Sequence, residues 1–441
     1  MFHKAFIGAL VLIIYQICFS KIINMKITKE NNFITTFSSD INCIFTLVES
    51  MAENLTYSPG KISLLSTYMA QKRLLIRAQK TVHLASFYWT LLARDTSYFD
   101  SSDAEGEDIF TTLMGIASNT SIELKIVQNI TSYDTDKLAS AGADVRTLNI
   151  NKLLNAGVMH TKMWVIDGQH VYIGSANLDW RSYTQIKEIG VLIENCPVLA
   201  IDAEKLFQVY WYLASDSNPG IPAHWPPEYS TNINLADPKL LKYNQTQAYV
   251  YLSSSPKAFC PDGRTNDIDA LVNVIRNARE FIYISVMDYL PIYMYTTPRR
   301  FWPVIDDELR QAAFNKKVDL RLLASRWNHS DPDMYAFLKS LNDLSKLYRT
   351  KVNITVRLFK VPAFTPSQAQ IEYARVQHSK YMVTDQHAYI GTSNWSGDYF
   401  NNTAGVAFIL QDADGSSNSL RKQLVEVFLR DWDSNYTQPI Y

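Results

Sequence analysis

The sequence predicts an α/β fold: two tandem homologous α/β sandwich domains, related by a pseudo-two-fold axis, with one site at their interface. Three observations carry that expectation. First, His160-Thr-Lys162-Met-Trp-Val-Ile-Asp167 followed by Gly174-Ser175-Ala176-Asn177 recurs as His378-Ser-Lys380-Tyr-Met-Val-Thr-Asp385 followed by Gly391-Thr392-Ser393-Asn394. Second, the likeness extends upstream. AQKTVHLASFYW (Ala78–Trp89) matches AREFIYISVMDY (Ala278–Tyr289), and IELKIV (Ile122–Val127) matches VDLRLL (Val318–Leu323). Third, short β-branched runs alternate with helix-length segments, as an α/β architecture requires. Two periods of about 200 residues mark a tandem duplication, not a solenoid.

The elements follow in chain order. His3 and Lys4 precede an apolar stretch, Ala5 to Phe19, broken only by Gln16. That run is shorter than the roughly 20 residues of a membrane span and suits the core of a signal peptide. Cys18 and Ser20 are small enough to precede cleavage after Ser20. Residues 1–20 are therefore expected to be a signal peptide, with an uncleaved signal anchor as the alternative. Either places the body of the protein outside the cytosol. Residues 40–220 form the first half and 239–441 the second. Between them, Asn218 to Pro238 holds five prolines and no helical periodicity, which marks the boundary. Each half reads helix, strand, helix, strand, strand, then a strand–turn–strand bearing the histidine and lysine. The second copy has one residue fewer between its aspartate and its glycine.

Composition narrows the function classes. With 42 basic and 43 acidic residues the net charge is −1, so bulk charge cannot hold a polyanion and phosphate affinity must be local. Nine N-x-S/T acceptors occur, at Asn54, Asn119, Asn129, Asn244, Asn328, Asn353, Asn394, Asn401 and Asn435. Asn394 falls inside the second motif and is set aside as a false positive. Beyond Cys18 the cysteines are Cys43, Cys196 and Cys260, enough for one disulfide and one thiol but not for a disulfide scaffold or a metal set.

Residues two apart on a strand share a face, so His160 projects with Lys162 and His378 with Lys380. Asn177 and Asn394, on the returning strands, face the same point. Folding the halves together gathers two imidazoles, two ammonium groups and two amides around one cavity. That set suits a phosphodiester: the cations and amides neutralise non-bridging oxygens, one imidazole attacks phosphorus and the other protonates the leaving oxygen. Asp167 and Asp385, near the turns, are expected to hold backbone and hydroxyl groups in place. The remaining histidines, His170 and His387 among them, read as structural or solvent-facing. No metal is expected, because neither motif gathers ligands at metal spacing.

These motifs resemble the two HKD signatures of the phospholipase D superfamily, and most closely its animal endolysosomal branch, the phospholipases D three and four. The likeness runs from Cys43-Ile-Phe-Thr-Leu-Val-Glu-Ser to Leu429-Arg430-Asp431-Trp432 and includes Ser86–Trp89, Gly174–Ser182, Cys260–Arg264, Phe301–Pro303 and Gly391–Ser396. It implies a metal-independent phosphodiesterase without cofactor, most closely a 5′-to-3′ exonuclease on single-stranded DNA and RNA in an acidic lysosomal or endosomal lumen. By the same resemblance His160 is the nucleophile that forms a phosphohistidine and His378 the acid. Lys162, Lys380, Asn177 and Asn394 hold the phosphate, and His378 later activates water. Glu188 stands 28 residues after His160, where the superfamily places a carboxylate that orients a catalytic histidine. Its counterpart near Gly405 is missing. Which imidazole Glu188 meets, or whether it forms an exposed ion pair, stays open at this point. The resemblance pairs Cys43 with Cys196 and leaves Cys260 without its family partner, since the chain ends Asn435-Tyr-Thr-Gln-Pro-Ile-Tyr441 without cysteine.

Substrate class remains divided. For nucleic acid, Tyr88, Trp89, Trp180, Tyr289 and Trp395 are aromatics expected near the cavity, where they would stack bases or pack the core. For a phospholipase D or transphosphatidylase acting on phospholipid, Tyr289–Pro303 offers an aromatic, proline-rich stretch with two arginines for a membrane surface. A non-catalytic scaffold is disfavoured by intact His and Lys in both halves. A homodimer and membrane association through the N-terminus are left open.

Overall fold

The first repeat builds a sheet from β1 (Asn42–Ser50), β2 (Thr81–Ser86), β3 (Glu123–Gln128), β4 (Asp144–Thr147), β5 (Met163–Ile166), β6 (His170–Gly174) and β7 (Glu188–Glu194). Their order across the sheet is β1-β7-β6-β5-β2-β3-β4. In the second repeat come β8 (Lys239–Tyr243), β9 (Thr246–Ser255), β10 (Phe281–Val286), β11 (Asp319–Ser325), β12 (Ile354–Phe359), β13 (Lys380–Thr384), β14 (His387–Gly391) and β15 (Gly405–Asp412). From β9 onward their order is β9-β15-β14-β13-β10-β11-β12, the same path. In each repeat the three strands at the far end run parallel and the others antiparallel. This computed structural model describes residues 42–95, 101–215, 217, 220–413 and 419–441; the segment expected as signal peptide or anchor lies outside them.

Local sequence explains the central strands. TVHLAS in β2 and FIYISV in β10 are buried at every residue but the first, as parallel strands covered on both faces must be. The helices that cross over them, Thr67–Arg77 and Asp267–Asn277, bury Leu74 and Leu75 in one repeat and Leu271, Val274 and Ile275 in the other. Each repeat thereby fills its own core, one around Leu84, Ile126, Trp164 and Leu192, the other around Ile284, Leu322, Met382 and Ile409.

The repeats nevertheless belong to one compact unit, Asn42–Tyr441. β8 runs parallel to the start of β1 and antiparallel to β9, tying the sheets together. Backbone bonds cross between repeats twice. The amide of His160 donates to Ala404 O (2.8 Å) and that of Ala404 to Val158 O (3.0 Å). The amide of His378 donates to Lys187 O (2.8 Å) and that of Lys187 to Val376 O (2.9 Å). A buried ionic cluster adds to this: Arg430 spans both oxygens of Glu49 (2.8 and 2.6 Å), and Lys187 Nζ lies 2.9 Å from Asp431. Removing one partner from such a pair costs about 3–5 kcal/mol. Cys43 and Cys196 form a disulfide and Cys260 is free. Asn394 is buried, whereas the other sequon asparagines are exposed or, for Asn129, half-buried. Among the described residues no helix is long and apolar enough to cross a membrane.

Candidate active site

The strand–turn–strand unit positions the motif in both repeats. Asp167 accepts the backbone N–H groups of Gln79, Lys80 and Thr81 at 2.9, 2.8 and 2.8 Å. Asp385 accepts those of Arg279 and Glu280 at 2.9 and 3.1 Å. Each aspartate pins its turn to the start of the neighbouring parallel strand. Asp385 also accepts the side-chain amide of Gln386 at 2.9 Å.

His160 and His378 lie in the short segments just ahead of β5 and β13, where the cross-repeat backbone bonds fix them. Both line one cavity of about 600 Å³, together with Asn177 and Asn394. The His160 ring sits 5.2 Å from the Phe87 ring and 5.1 Å from that of Tyr399, both on the same cavity wall. Nδ1 of His160 donates to Thr392 O at 2.8 Å. Nδ1 of His378 meets both oxygens of Glu188, at 3.0 and 2.8 Å. A carbonyl or carboxylate accepts and cannot donate, so Nδ1 carries the proton in each ring and Nε2 is left for the cavity. Glu188 is fully buried and also accepts from Ser182 Oγ at 3.0 Å. That settles the open alternatives: Glu188 orients His378, across the repeat boundary, and forms no exposed ion pair.

The two lysines differ from expectation in one respect. Both are buried, but neither lines the cavity. Lys162 Nζ donates to the His160 carbonyl at 2.7 Å, and Lys380 Nζ donates to the His378 carbonyl. Side chains two apart do share a face, yet a long buried ammonium needs an acceptor and takes the nearest carbonyl. The cations therefore sit behind the imidazoles. Asn394 is held by Asp288 Oδ2 (3.1 Å) and Tyr399 OH (3.3 Å).

Electrostatics separate the two imidazoles. Burial, then the charges of Lys162, Lys380 and His378, hold His160 well below the usual imidazole value, and the Thr392 carbonyl only partly opposes this. Burial lowers His378 as well, but the Glu188 carboxylate pulls it back up. Glu188 stays below the usual carboxylate range despite its burial, because His378, Lys380 and a hydrogen bond from Ser175 favour its anion. Burial pushes both lysines down and the Asp288 carboxyl up. Gly405 sits opposite Ser255 as Glu188 sits opposite Ser50. A Cβ at Gly405 would lie 2.3 Å from Ser393 Oγ, so a side chain there would require that hydroxyl to move. Among the described residues no group of three or more His, Cys, Asp or Glu side chains could hold a metal ion.

The family profile described as "PLD3/4, PLD-like domain" matches residues 55–364. The chain belongs to that family. It is 45% identical over 403 residues to a human protein named 5′-3′ exonuclease PLD3, covering 90% of this chain and 81% of that one. It is 41% identical over 407 residues to a mouse 5′-3′ exonuclease PLD4, covering 90% and 80%. A solved phosphatidylserine synthase from Haemophilus influenzae Rd KW20 superposes with a TM-score of 0.55 at 12% identity, over 84% of this chain and 85% of that one, and shares the fold.

Within this phospholipase D frame the structure brings His160, His378, Asn177 and Asn394 to one cavity, places Lys162, Lys380 and Glu188 directly behind them, and leaves Asp167 and Asp385 at the turns. Of the aromatics expected near the cavity only Tyr88 lines it; Trp89, Trp180, Tyr289 and Trp395 are core. The rings that do line it include Phe87, Tyr295, Trp327, Tyr373 and Tyr399. Tyr295, within the stretch read as a membrane contact, is largely exposed and also borders this cavity. Arg181 also borders the cavity, from within the Gly174–Ser182 segment. Thr392 lies inside the second motif but acts through its main chain, which no side-chain pattern reveals, and Asp288 aligns with Tyr88 in the other repeat and carried no motif signal.

Proposed function

We propose that this phosphodiesterase is a 5′-to-3′ exonuclease on single-stranded DNA and RNA, working through a phosphohistidine in an acidic lumenal compartment. The observation that carries the chemistry is the pair of imidazoles on one cavity with Nδ1 engaged and Nε2 free. Nε2 of His160 attacks phosphorus; the P–O5′ bond breaks as Nε2–H of His378 protonates the leaving 5′-oxygen. Water then attacks the phosphohistidine, giving a proton to His378 while the P–N bond breaks, and a 3′-phosphorylated nucleotide leaves. Likeness to the PLD3 and PLD4 exonucleases and the aromatic rings on the cavity support nucleic acid over lipid.

An acidic setting suits the electrostatics. The first step needs His160 neutral and His378 protonated. Activity is lost as pH rises through the His378 pKa and again as pH falls through the lower His160 pKa, and burial holds both rings below the ordinary imidazole value. The disulfide and the accessible sequons support a lumenal or secreted location. To the same reading belong an N-terminal signal or type II anchor and self-association as a homodimer.

The test is degradation of 5′-hydroxyl single-stranded DNA near pH 5 in EDTA, beside a 5′-phosphorylated control and phospholipid vesicles. Mononucleotide release from the 5′-hydroxyl strand alone is expected. Turnover of vesicles with none of oligonucleotide would replace the nuclease by the phospholipase reading.

A further inference from the structure

Trp327 follows β11 and borders three cavities. One is the catalytic cavity; two more, of about 320 Å³ each, adjoin it. The first of these is also bounded by His329 and Tyr373, the second by Arg326 and Lys360. The rings form a continuous array. His329 meets Trp327 edge-on at 4.8 Å and stacks on Tyr373 at 4.8 Å and 20°. The array is not core: His329 is exposed and Tyr373 is 56% exposed. Arg326 and Lys360 are exposed beside it. Exposed stacked rings flanked by cations are what unpaired bases and their phosphates recognise.

Chemistry fixes which part of a strand would lie there. In-line displacement sets the leaving oxygen opposite the attacking His160, hence on the side of the proton donor His378. Tyr373 and Val376, in the segment leading into His378, line the catalytic cavity on that side. The equivalent loop of the first repeat, after β3, reads Asn129-Ile130-Thr131-Ser132 and leads to one exposed ring, Tyr133, which does not line the catalytic cavity. The array of Trp327, His329 and Tyr373 thus leads outward beside the acid, whereas Phe87, the ring beside the nucleophile, and its neighbour Tyr88 belong to the catalytic cavity itself.

Resting on the nucleic-acid reading above, we infer that Trp327, His329 and Tyr373, with Arg326 and Lys360, form a subsite that binds the bases and phosphates on the 3′ side of the scissile bond. The subsite holds the strand that departs at each cycle and returns its new 5′ end to the cavity.

The measurement compares a 5′-hydroxyl hexathymidylate with thymidine 3′-(4-nitrophenyl phosphate), which has no nucleotide beyond the scissile bond. In His329→Ala the ratio of hexamer KM to ester KM rises roughly five-fold or more, and His329→Phe, which keeps a stacking ring, restores it. The salt dependence of hexamer KM flattens in Arg326→Ala/Lys360→Ala. An unchanged ratio in His329→Ala, or an equal loss on both substrates, overturns the subsite. Wild-type protein that cleaves the ester but not the hexamer overturns the nuclease reading itself, a result distinguishable from either.

Discussion

His160 and His378 occupy one position in two copies of a single strand order, yet their partners differ in kind. A neutral carbonyl, Thr392 O, steadies the first ring and a carboxylate, Glu188, the second. Both partners come from the opposite repeat, so neither half is complete alone. Duplication supplies matching frames, and one residue difference underlies the roles proposed for the two rings. A carboxylate stabilises imidazolium and makes His378 the better acid and base. A carbonyl fixes the tautomer of His160 while burial keeps that ring neutral, as a nucleophile requires. The crowding at Gly405 favours the difference, because a side chain at the symmetric position would have to displace the Ser393 hydroxyl.

Removing the rings should break the comparison most visibly. His160→Ala and His378→Ala each lower kcat on oligonucleotide by about 10³-fold or more. A substrate with a 4-nitrophenolate leaving group separates them, since that group departs without a proton. His378→Ala should still release a burst of nitrophenol and accumulate phosphorylated protein, whereas His160→Ala releases none. Intact-mass spectrometry reads the added phosphoryl-nucleoside. Equal behaviour of the two variants on this substrate would erase the assignment of nucleophile and acid.

Glu188→Gln sharpens the comparison at lower cost. A neutral amide in place of the anion removes the group that raises His378 against burial. The alkaline limb of kcat/KM, which reports loss of the His378 proton, therefore moves to lower pH, and the rate at the optimum falls on the order of 10²-fold or more. The acid limb belongs to His160 and should stay nearly in place. A pH–rate profile from pH 4 to 8 distinguishes this from a structural defect, which would scale the curve without moving one limb.

Much of this was legible in the chain because duplication writes the motif twice. The succession of helices and strands along each half, the paired histidines and the placing of Asp167 and Asp385 near the turns follow from spacing and alternation; the order of strands across the sheet does not. Glu188 was legible as an orienting carboxylate, but not which imidazole it meets, and the partner of the other ring was not legible at all. Glu188 reaches His378 from the other repeat, and Thr392 contributes a carbonyl that any residue would carry. The aromatic reading misplaced Trp89, Trp180, Tyr289 and Trp395, which sit beside the motif in sequence but point into the core. Trp327 and Tyr373 reach the cavity from loops that no repeat comparison singles out. Lysine placement failed for a different reason: alternation fixes the face of a side chain, but not the hydrogen bond that a flexible buried ammonium chooses.

The smallest expected effect tests the turns rather than the chemistry. Asp167 holds three backbone N–H groups at 2.8–2.9 Å, while Asp385 holds those of Arg279 and Glu280 at 2.9 and 3.1 Å, together with the Phe281 amide and the Gln386 side-chain amide. Replacing either with alanine strands those donors at the head of a central parallel strand, at about 1–3 kcal/mol. Asp167→Ala should lose more than Asp385→Ala, because its contacts are tighter. Neither carboxylate borders the cavity, so activity per folded molecule should hold in both variants while the urea midpoint falls. The more exposed turn donors regain water in the unfolded and folded chain alike, which keeps the loss near the lower end of that range. A fall in kcat at unchanged folded fraction would instead place these aspartates in the reaction and dissolve the division between turn and site.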